Sequence, residues 1–120
     1  MAHQRLQNYL RTHRRRHGLT EAELATLLGA ASGTKVSRYE NFARMPGVLA
    51  VFAFEIVFNQ PASELFAGTY QSIRIEVQKR ARRMAKLLQS RPDAQTKRTI
   101  RKLELLRSIV EAKPTSARRA

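Results

Sequence analysis

Residues 18–40 read GLTEAELATLLGAASGTKVSRYE and predict two short helices joined by a turn. Thr20 and Glu23 form a capping box, in which the Thr20 side chain accepts the backbone N–H of Glu23 and the Glu23 carboxylate returns to the N–H of Thr20. The helix that begins there stops at Gly29 after about two turns. Because so short a helix is not stable alone, we expect it to pack on neighbouring helices.

The second helix begins after Ser32, its candidate N-cap, and ends before a Pro-Gly pair. This helix runs through Val36, Tyr39 and Phe42, and helical spacing places Val36 and Tyr39 on its inward face. Gly33 has no side chain and would allow a nucleic-acid backbone to approach closely. A capped helix, a glycine turn and a second helix with a polar tip make a helix-turn-helix, whose second helix enters the major groove of DNA. An ordinary helical hairpin is the alternative.

Residues 29–35 also contain nearly the material of a phosphate-binding loop, with two glycines, two hydroxyls and a lysine. A P-loop reads GxxxxGK[ST] and follows a β-strand. Here the order is GxxxGTK, one residue short, and a helix precedes it. We therefore do not expect the loop to bind a nucleotide.

The remainder of residues 1–68 predicts three more helices and no strand. The first covers residues 3–17 and ends at the following glycine. Residues 48–58 are apolar nearly all round, which predicts a buried helix. Pro61 suits the first turn of a last short helix that ends near Gly68. The predicted fold class is all-α, with five helices in this first domain.

Two longer amphipathic helices are predicted in residues 69–113. The apolar residues of the first recur at spacings of three and four, as one stripe made of Ile73, Val77, Ala81, Met84 and Leu88. Asp93 is the candidate cap of the second helix. Its wider stripe contains Ile100, Leu103, Leu105, Leu106, Ile109 and Val110. Pro114 stops this helix, and residues 114–120 predict a frayed tail.

The charge of the chain is strongly positive, with 23 lysines and arginines against 9 acidic residues and a net charge of +14. Residues 70–120 carry 15 of these basic residues and 4 of the acidic ones. Such an excess repels itself unless a polyanion supplies the counter-charge, so nucleic acid is the first candidate partner. An anionic membrane surface and an acidic protein are the alternatives.

The sequence contains no pattern for catalysis, metal binding or membrane insertion. It has no cysteine, which excludes disulfides and thiolate metal sites. His13 and His17 are four residues apart, but only His3 could add a ligand, so both are expected at the surface. Glu55 is expected to be paired or partly exposed rather than catalytic. No apolar run reaches the ~20 residues of a membrane span and no export signal is present. We expect a cytoplasmic protein that is not an enzyme and uses no cofactor, metal or small-molecule substrate.

Residues 5–68 resemble the Xre/Cro, or lambda-repressor-like, helix-turn-helix family of bacterial and phage regulators. The matching residues are Arg14, Gly18-Leu19-Thr20, Leu24-Ala25, Leu27-Leu28-Gly29, Val36-Ser37-Arg38-Tyr39-Glu40, Pro46 and Glu64-Leu65-Phe66. The resemblance implies a five-helix DNA-binding domain without catalysis. It also implies an ion pair between Arg14 and Glu40 that ties the first helix to the recognition helix.

The turn between the two short helices departs from the family pattern in two ways. Gly29 to Val36 spans seven steps where the family usually has six, so one residue has been added. Glu21 stands where the family often has a glutamine that grips a phosphate. Aligned on Val36, the resemblance implies base contacts by Gly33, Thr34 and Arg38, and phosphate contacts by Ser32, Lys35, Ser37, Arg44, Arg15 and Arg16.

The sequence thus predicts a sequence-specific DNA-binding regulator, a repressor, that docks residues 32–41 in the major groove. A homodimer through residues 70–112 is expected, because wide apolar stripes are unfavourable in water and such regulators commonly bind palindromic sites. An outer surface along the DNA backbone would then be formed by Arg80, Arg82, Arg83, Lys97, Arg98, Arg101 and Lys102. The alternatives are an antitoxin or other interaction module whose basic C-terminal helices bind an acidic partner, and a non-specific nucleic-acid binder.

Overall fold

The computed structural model describes residues 6–113, and these residues form seven α-helices and no strand. In chain order they are α1 (Leu10–Arg16), α2 (Glu21–Leu27), α3 (Thr34–Glu40), α4 (Val48–Phe58), α5 (Ala62–Leu65), α6 (Ala67–Gln89) and α7 (Lys97–Glu111). The all-α prediction is confirmed over this range. The stop predicted at Pro114 and the tail at residues 114–120 lie outside it. None of the described helices has the length and apolar content needed to cross a membrane.

The chain divides into two compact units, the first extending to Tyr70 and the second beginning at Gln71. The change of unit falls within α6, because that helix already begins at Ala67. Gly68 was predicted to end the fifth helix, and this is wrong. Its N–H lies in the first turn of α6, where the helix has no acceptor of its own for it, and donates to the carbonyl oxygen of Leu6 at 2.8 Å.

One apolar cluster forms the core of the first unit. Each of the five helices α1 to α5 contributes one fully buried side chain, and these are Leu10, Leu24, Val36, Phe54 and Leu65. The Phe54 ring centroid lies 6.0 Å from that of Tyr39 and 6.2 Å from that of Phe66. Helices of four to eleven residues are thereby stabilised by tertiary packing rather than by their own length.

The first helix begins at Leu10, and residues 6–9, which were predicted to belong to it, are not helical; residues 3–5 of that prediction lie outside the described range. Asn8 precedes it, and its side-chain oxygen accepts the N–H of Leu10 at 3.1 Å while its amide donates to the carbonyl of Tyr39 at 2.9 Å. The N–H of Tyr9 donates to the carbonyl of Leu65 at 2.7 Å. The contacts to Tyr39 and Leu65 join the start of α1 to α3 and α5. Periodicity reports only spacing along one helix, so it does not reveal such contacts.

The fourth helix has the predicted bounds but not the predicted burial. Phe54 and Phe58 are buried, whereas Val48, Leu49, Phe52 and Ile56 are exposed. A unit of this size has a core on only one side of α4. Because α4 is apolar on all sides, the apolar face that points away from the core is exposed to solvent.

The second unit is built on contacts between α6 and α7. Its buried cluster consists of Ala81, Leu88 and Leu106. The side-chain amide of Gln78 donates to the carbonyl of Ile109 at 3.1 Å and so holds the end of α7. Two residues of the stripe predicted on α6, Ala81 and Leu88, are buried, because the face that contacts α7 also includes Gln78. The exposed residues of the stripe are Ile73, Val77 and Met84.

The seventh helix is capped by Thr96, and the predicted cap Asp93 is wrong. The Thr96 hydroxyl accepts the N–H of Thr99 at 3.2 Å. Asp93 lies in the preceding turn, where its backbone carbonyl accepts the Thr96 N–H at 3.1 Å. The stripe predicted on α7 is buried at Leu106 but exposed at Ile100 and Leu105.

Candidate nucleic-acid interface

The candidate interface is built on α2, α3 and the turn between them. The capping box predicted at the start of α2 is confirmed, since the Thr20 hydroxyl accepts the Glu23 N–H at 3.0 Å and the Glu23 carboxylate accepts the Thr20 N–H at 2.9 Å. Gly29 ends the helix with a φ of +76°, a left-handed conformation that favours glycine. The N–H of Ala30 then donates to the carbonyl of Ala25 at 2.8 Å.

The third helix begins at Thr34 with Gly33 as its N-cap residue, so the prediction that Ser32 caps it is wrong. The Ser32 hydroxyl accepts only the N–H of Thr34, at 3.4 Å. The first full helical bond runs from the N–H of Ser37 to the carbonyl of Gly33 at 2.9 Å. The turn between α2 and α3 therefore includes an irregular segment, residues 30–33, ahead of the helix.

Gly33 was predicted to let a nucleic-acid backbone approach closely. In the structure its missing side chain instead makes room for the first turn of α2. A β-carbon added there would lie 3.1 Å from the backbone nitrogen of Ala22 and 3.1 Å from the carbonyl carbon of Glu21. Its φ of −74° is open to any residue, so backbone conformation does not demand glycine. The missing side chain allows α3 to pack closely on the first turn of α2, and does not provide open space for a nucleic acid.

The third helix has a buried side and an exposed side. Val36 and Tyr39 are buried as predicted. Thr34, Lys35 and Arg38 are exposed, and helical spacing sets Thr34 and Arg38 one above the other on the side away from the core. Thr34, Lys35 and Arg38, three of the residues predicted to contact DNA, therefore lie together on the exposed side of α3. The hydroxyl of Ser37, also predicted to contact phosphate, is half-buried and accepts a hydrogen bond from the Asn41 amide at 3.3 Å.

The third helix ends at Glu40, so Phe42 lies after the helix and not within it. Phe42 has a φ of +64° and its side chain is exposed. The backbone turns back there, since the N–H groups of Ala43 and Arg44 both donate to the carbonyl of Arg38, at 2.9 and 3.3 Å. This turn places the exposed Arg44 side chain after the helix, as predicted for a phosphate contact.

An ion pair joins α1 to the last residue of α3. The Arg14 guanidinium donates from Nε to Oε2 of Glu40 at 2.5 Å and from Nη2 to Oε1 at 3.1 Å. Its Nη1 also donates to the carbonyl of Leu19 at 2.9 Å. Hydrogen bonding to Glu40 raises the pKa of Arg14 above its ordinary value, more than burial lowers it. The Glu40 side chain is fully buried, so the pair fixes α3 against α1.

Arg11 is a further residue of this network, and the sequence reasoning missed it. Its guanidinium donates to Oε1 of Glu40 at 3.4 Å and to the side-chain oxygen of Asn41 at 2.5 Å. The available signal was the spacing of three residues between Arg11 and Arg14, which places both on one side of α1. Arg15 and Arg16, the predicted phosphate contacts on this helix, are exposed in its last turn.

His13 of α1 and His17, the residue that follows the helix, were both expected at the surface; His17 is exposed, whereas His13 is half-buried. The ring centroids of His13 and His17 lie 5.7 and 6.0 Å from that of Phe58. Burial lowers the pKa of His13 below its ordinary value, and the charges of Arg16 and His17 lower it further against a small opposing effect of Glu64. Within residues 6–113, no group of three or more His, Cys, Asp or Glu side chains is placed to hold a metal ion.

Glu55 has a structural role at the start of α5. Its carboxylate accepts the backbone N–H of Ala62 at 2.5 Å, which caps that short helix. The expectation that Glu55 is paired or partly exposed agrees with this contact.

The seven basic residues predicted to form an outer surface on the second unit are all exposed. They are Arg80, Arg82, Arg83, Lys97, Arg98, Arg101 and Lys102.

Comparison of the chain with protein-family models, with curated proteins and with solved structures found no match. The features of the molecule that bear on function are the geometry of α3, the residues that hold it, and the distribution of charge.

Proposed function

We propose that the first unit is a lambda-repressor-like helix-turn-helix domain and that the protein is a sequence-specific DNA-binding regulator of transcription, a repressor acting in the cytoplasm. Residues 32–41 dock in the major groove. The reaction class is binding alone, with no catalytic step, cofactor or small-molecule substrate.

The observation that carries this proposal is the two-sided surface of α3. A helix that reads base edges has to be held in a fixed position and has to present polar side chains outward. Val36 in the core and the Glu40 ion pair with Arg14 supply the first requirement. Thr34 and Arg38 supply the second, since both are exposed on the side away from the core.

The exposed side chains of α3 take different roles in this proposal. Arg38 donates in paired fashion to the O6 and N7 atoms of guanine, a contact that discriminates against the wrong base by about 1–3 kcal/mol. Thr34 contacts a base edge or a thymine methyl group. Lys35, beside them, contacts a phosphate together with Ser32 and Arg44 and contributes affinity without sequence information. Gly33 serves the packing of α3 on α2 in place of a base contact.

The second unit adds non-specific affinity for the DNA backbone. Residues 71–113 carry thirteen lysines and arginines against four acidic residues. Exposed cations of this density bind phosphates and release counterions, so the affinity falls steeply with salt concentration. In this proposal the first unit supplies the sequence preference and the second unit supplies part of the binding energy.

Selection of bound duplexes from a random pool, followed by titration at one fixed salt concentration, tests the proposal. The full-length protein is expected to enrich a short palindromic motif and to bind it at least about a thousandfold more tightly than a scrambled duplex. Equal affinity for the selected and the scrambled duplex would exclude sequence-specific reading by α3.

A groove on the second unit favours a second candidate function, a protein-interaction module such as an antitoxin. The groove has a volume of about 620 Å³, and its apolar lining includes Leu103, Leu106 and Val110. Its charged lining residues are Arg82, Lys86, Arg107, Glu104 and Glu111. An amphipathic helix with acidic flanks fits such a groove. Titration of the full-length protein with a labelled acidic amphipathic peptide tests this function, and the absence of binding at low salt concentration would exclude it.

A further inference from the structure

The fourth helix presents a line of apolar side chains to solvent. Val48, Leu49, Phe52 and Ile56 are 67, 81, 54 and 80% exposed. We call these four residues the α4 stripe. Leu49, Phe52 and Ile56 follow one another at spacings of three and four, so they lie on one side of the helix, opposite the buried Phe54. Single exposed apolar residues are common on proteins, but a contiguous line of four marks an interaction surface.

The charge around the α4 stripe indicates what kind of partner fits it. Residues 45–73 contain no lysine, arginine or histidine, although the chain carries a net charge of +14. The carboxylate of Glu55, on the same helix, already accepts the N–H of Ala62. Lys35 lies near the start of the stripe, because it lines a cavity of about 180 Å³ together with Leu49. The middle of the stripe, at Phe52, is therefore apolar and lies on a segment without cations.

A second copy of this chain carries the same large positive charge. Two such copies repel each other, and they approach at least cost where each carries the fewest cations. The second unit does not meet this condition. Its exposed apolar residues, such as Met84 and Leu105, are interleaved with thirteen lysines and arginines in residues 71–113. That unit suits a polyanion, whereas the α4 stripe suits another copy of the chain.

We propose that the α4 stripe is a homodimer interface in which Phe52 packs against the partner subunit's Phe52. A two-fold symmetric contact uses the same patch on both subunits, so the residue nearest the centre of the patch meets its own copy. Phe52 is that residue, since Val48 and Leu49 lie before it and Ile56 lies after it. The contact area is small, and the dimer is therefore weak and strengthened by salt, which screens the repulsion between the two subunits.

This interface does not depend on the proposed function, because it forms without DNA and is measured without it. Where DNA binding also holds, the dimer would carry two copies of α3 and match the symmetry of a palindromic site. A protein that dimerises but does not prefer any DNA sequence would contradict only the proposed function. A monomer that reads DNA would contradict only the interface.

Cross-linking of single cysteine variants tests the interface, because the natural chain has no cysteine of its own. In full-length Phe52→Cys, mild copper-phenanthroline oxidation is expected to give a disulfide-linked dimer on a non-reducing gel. Leu27→Cys is the matched control, since Leu27 is 56% exposed on a different helix, α2, and is expected to stay monomeric. Cross-linking of Leu105→Cys with none for Phe52→Cys would overturn the proposal in favour of dimerisation through the second unit.

Sedimentation equilibrium with charged variants gives an independent test. Phe52→Glu and Phe52→Lys are each expected to raise the dissociation constant of the dimer at least about tenfold. An equimolar mixture of the two variants is expected to recover dimer formation, because opposite charges then meet at the centre of the interface. The exposed position of Phe52 leaves the core intact, and circular dichroism checks this. Unchanged self-association of both variants, or a monomeric wild-type protein at every concentration and salt tested, would overturn the proposal.

Discussion

Arg14 and Glu40 form a buried ion pair that joins the middle of α1 to the last residue of α3. The two residues are 26 positions apart, and their contact fixes the angle at which α3 crosses α1. The side chain of Glu40 is fully buried, so its charge depends on protein partners rather than on water. The orientation of the exposed side of α3 is therefore coupled to a contact on its opposite side.

Replacement of Arg14 by methionine is expected to lower the free energy of unfolding by about 3 kcal/mol, because it leaves a buried carboxylate with only Arg11 nearby. Urea denaturation followed by circular dichroism measures this. Arg11→Ala is the control and is expected to cost no more than about 1 kcal/mol, since that side chain is half-exposed. The double variant Arg14→Met/Glu40→Leu should be more stable than Arg14→Met alone. A double variant that is less stable would contradict the explanation by an uncompensated charge.

Replacement of Gly33 by alanine is expected to destabilise the first unit by roughly 1–3 kcal/mol through overpacking. The new β-carbon would press on the backbone of Ala22 and Glu21 at 3.1 Å, in a first turn that the capping box already fixes. Gly47→Ala is the matched control, because Gly47 has a similar φ of −76° and no atom within 4 Å of an added β-carbon. Thermal unfolding of both variants measures the difference. Equal stability of the two would show that α2 and α3 separate at little cost.

Acidification is expected to destabilise the protein through His13. Its pKa in the folded state is lowered, mainly by burial, so the unfolded chain binds the proton more readily than the folded chain does. The stability that the neutral imidazole gives is present above the ordinary pKa of about 6.5 and is lost as the pH falls through that value toward the lowered one. Urea denaturation at a series of pH values measures this loss. His13→Gln should flatten the dependence in this range, and an equal slope in both proteins would contradict it.

The sequence predicted those features that are determined within one helix and its caps. The capping box of Thr20 and Glu23 needs only residues three apart, and the bounds of α4 follow from an apolar run ended by polar residues. Burial of Val36 and Tyr39 followed from their spacing in a helix that has one core-facing side. The ion pair between Arg14 and Glu40 came from the family resemblance, since no local rule joins residues so distant in sequence.

The features that failed depend on which faces find a partner. Periodicity places Met84 in the apolar stripe of α6, but it does not show that α7 packs against the neighbouring face of that helix. The turn after α3 was not predicted, because the left-handed conformation of Phe42 is unusual for a bulky residue and is sustained by backbone hydrogen bonds to Arg38. The role of Gly33 was misjudged, since the approach of α2 cannot be read from a single segment.

Replacement of Lys35 by alanine is expected to weaken binding to every duplex by a similar factor, because a phosphate contact carries no sequence information. The slope of log affinity against log salt concentration should fall in magnitude by about one. Fluorescence anisotropy with the selected and scrambled duplexes at several salt concentrations measures both effects. Lys79→Ala is the comparison: Lys79 lies 3.6 Å from the Glu76 carboxylate on α6, so its removal is expected to change the salt slope less than Lys35→Ala does. An unchanged salt slope for Lys35→Ala would place that side chain away from the backbone.

Replacement of Arg38 by alanine is expected to lower affinity for the selected duplex by about 1–3 kcal/mol while leaving affinity for the scrambled duplex nearly unchanged. The reason is that an exposed guanidinium on the outward side of a fixed helix contributes to discrimination only where it meets a particular base. Loss of preference at a single position, measured by repeating the selection with Arg38→Ala, identifies the base pair that this residue reads. Arg44→Ala serves as the comparison, since a phosphate contact after the helix should weaken both duplexes alike. An Arg38→Ala protein that lost the same factor on both duplexes would show that α3 contacts the backbone and that base reading lies elsewhere.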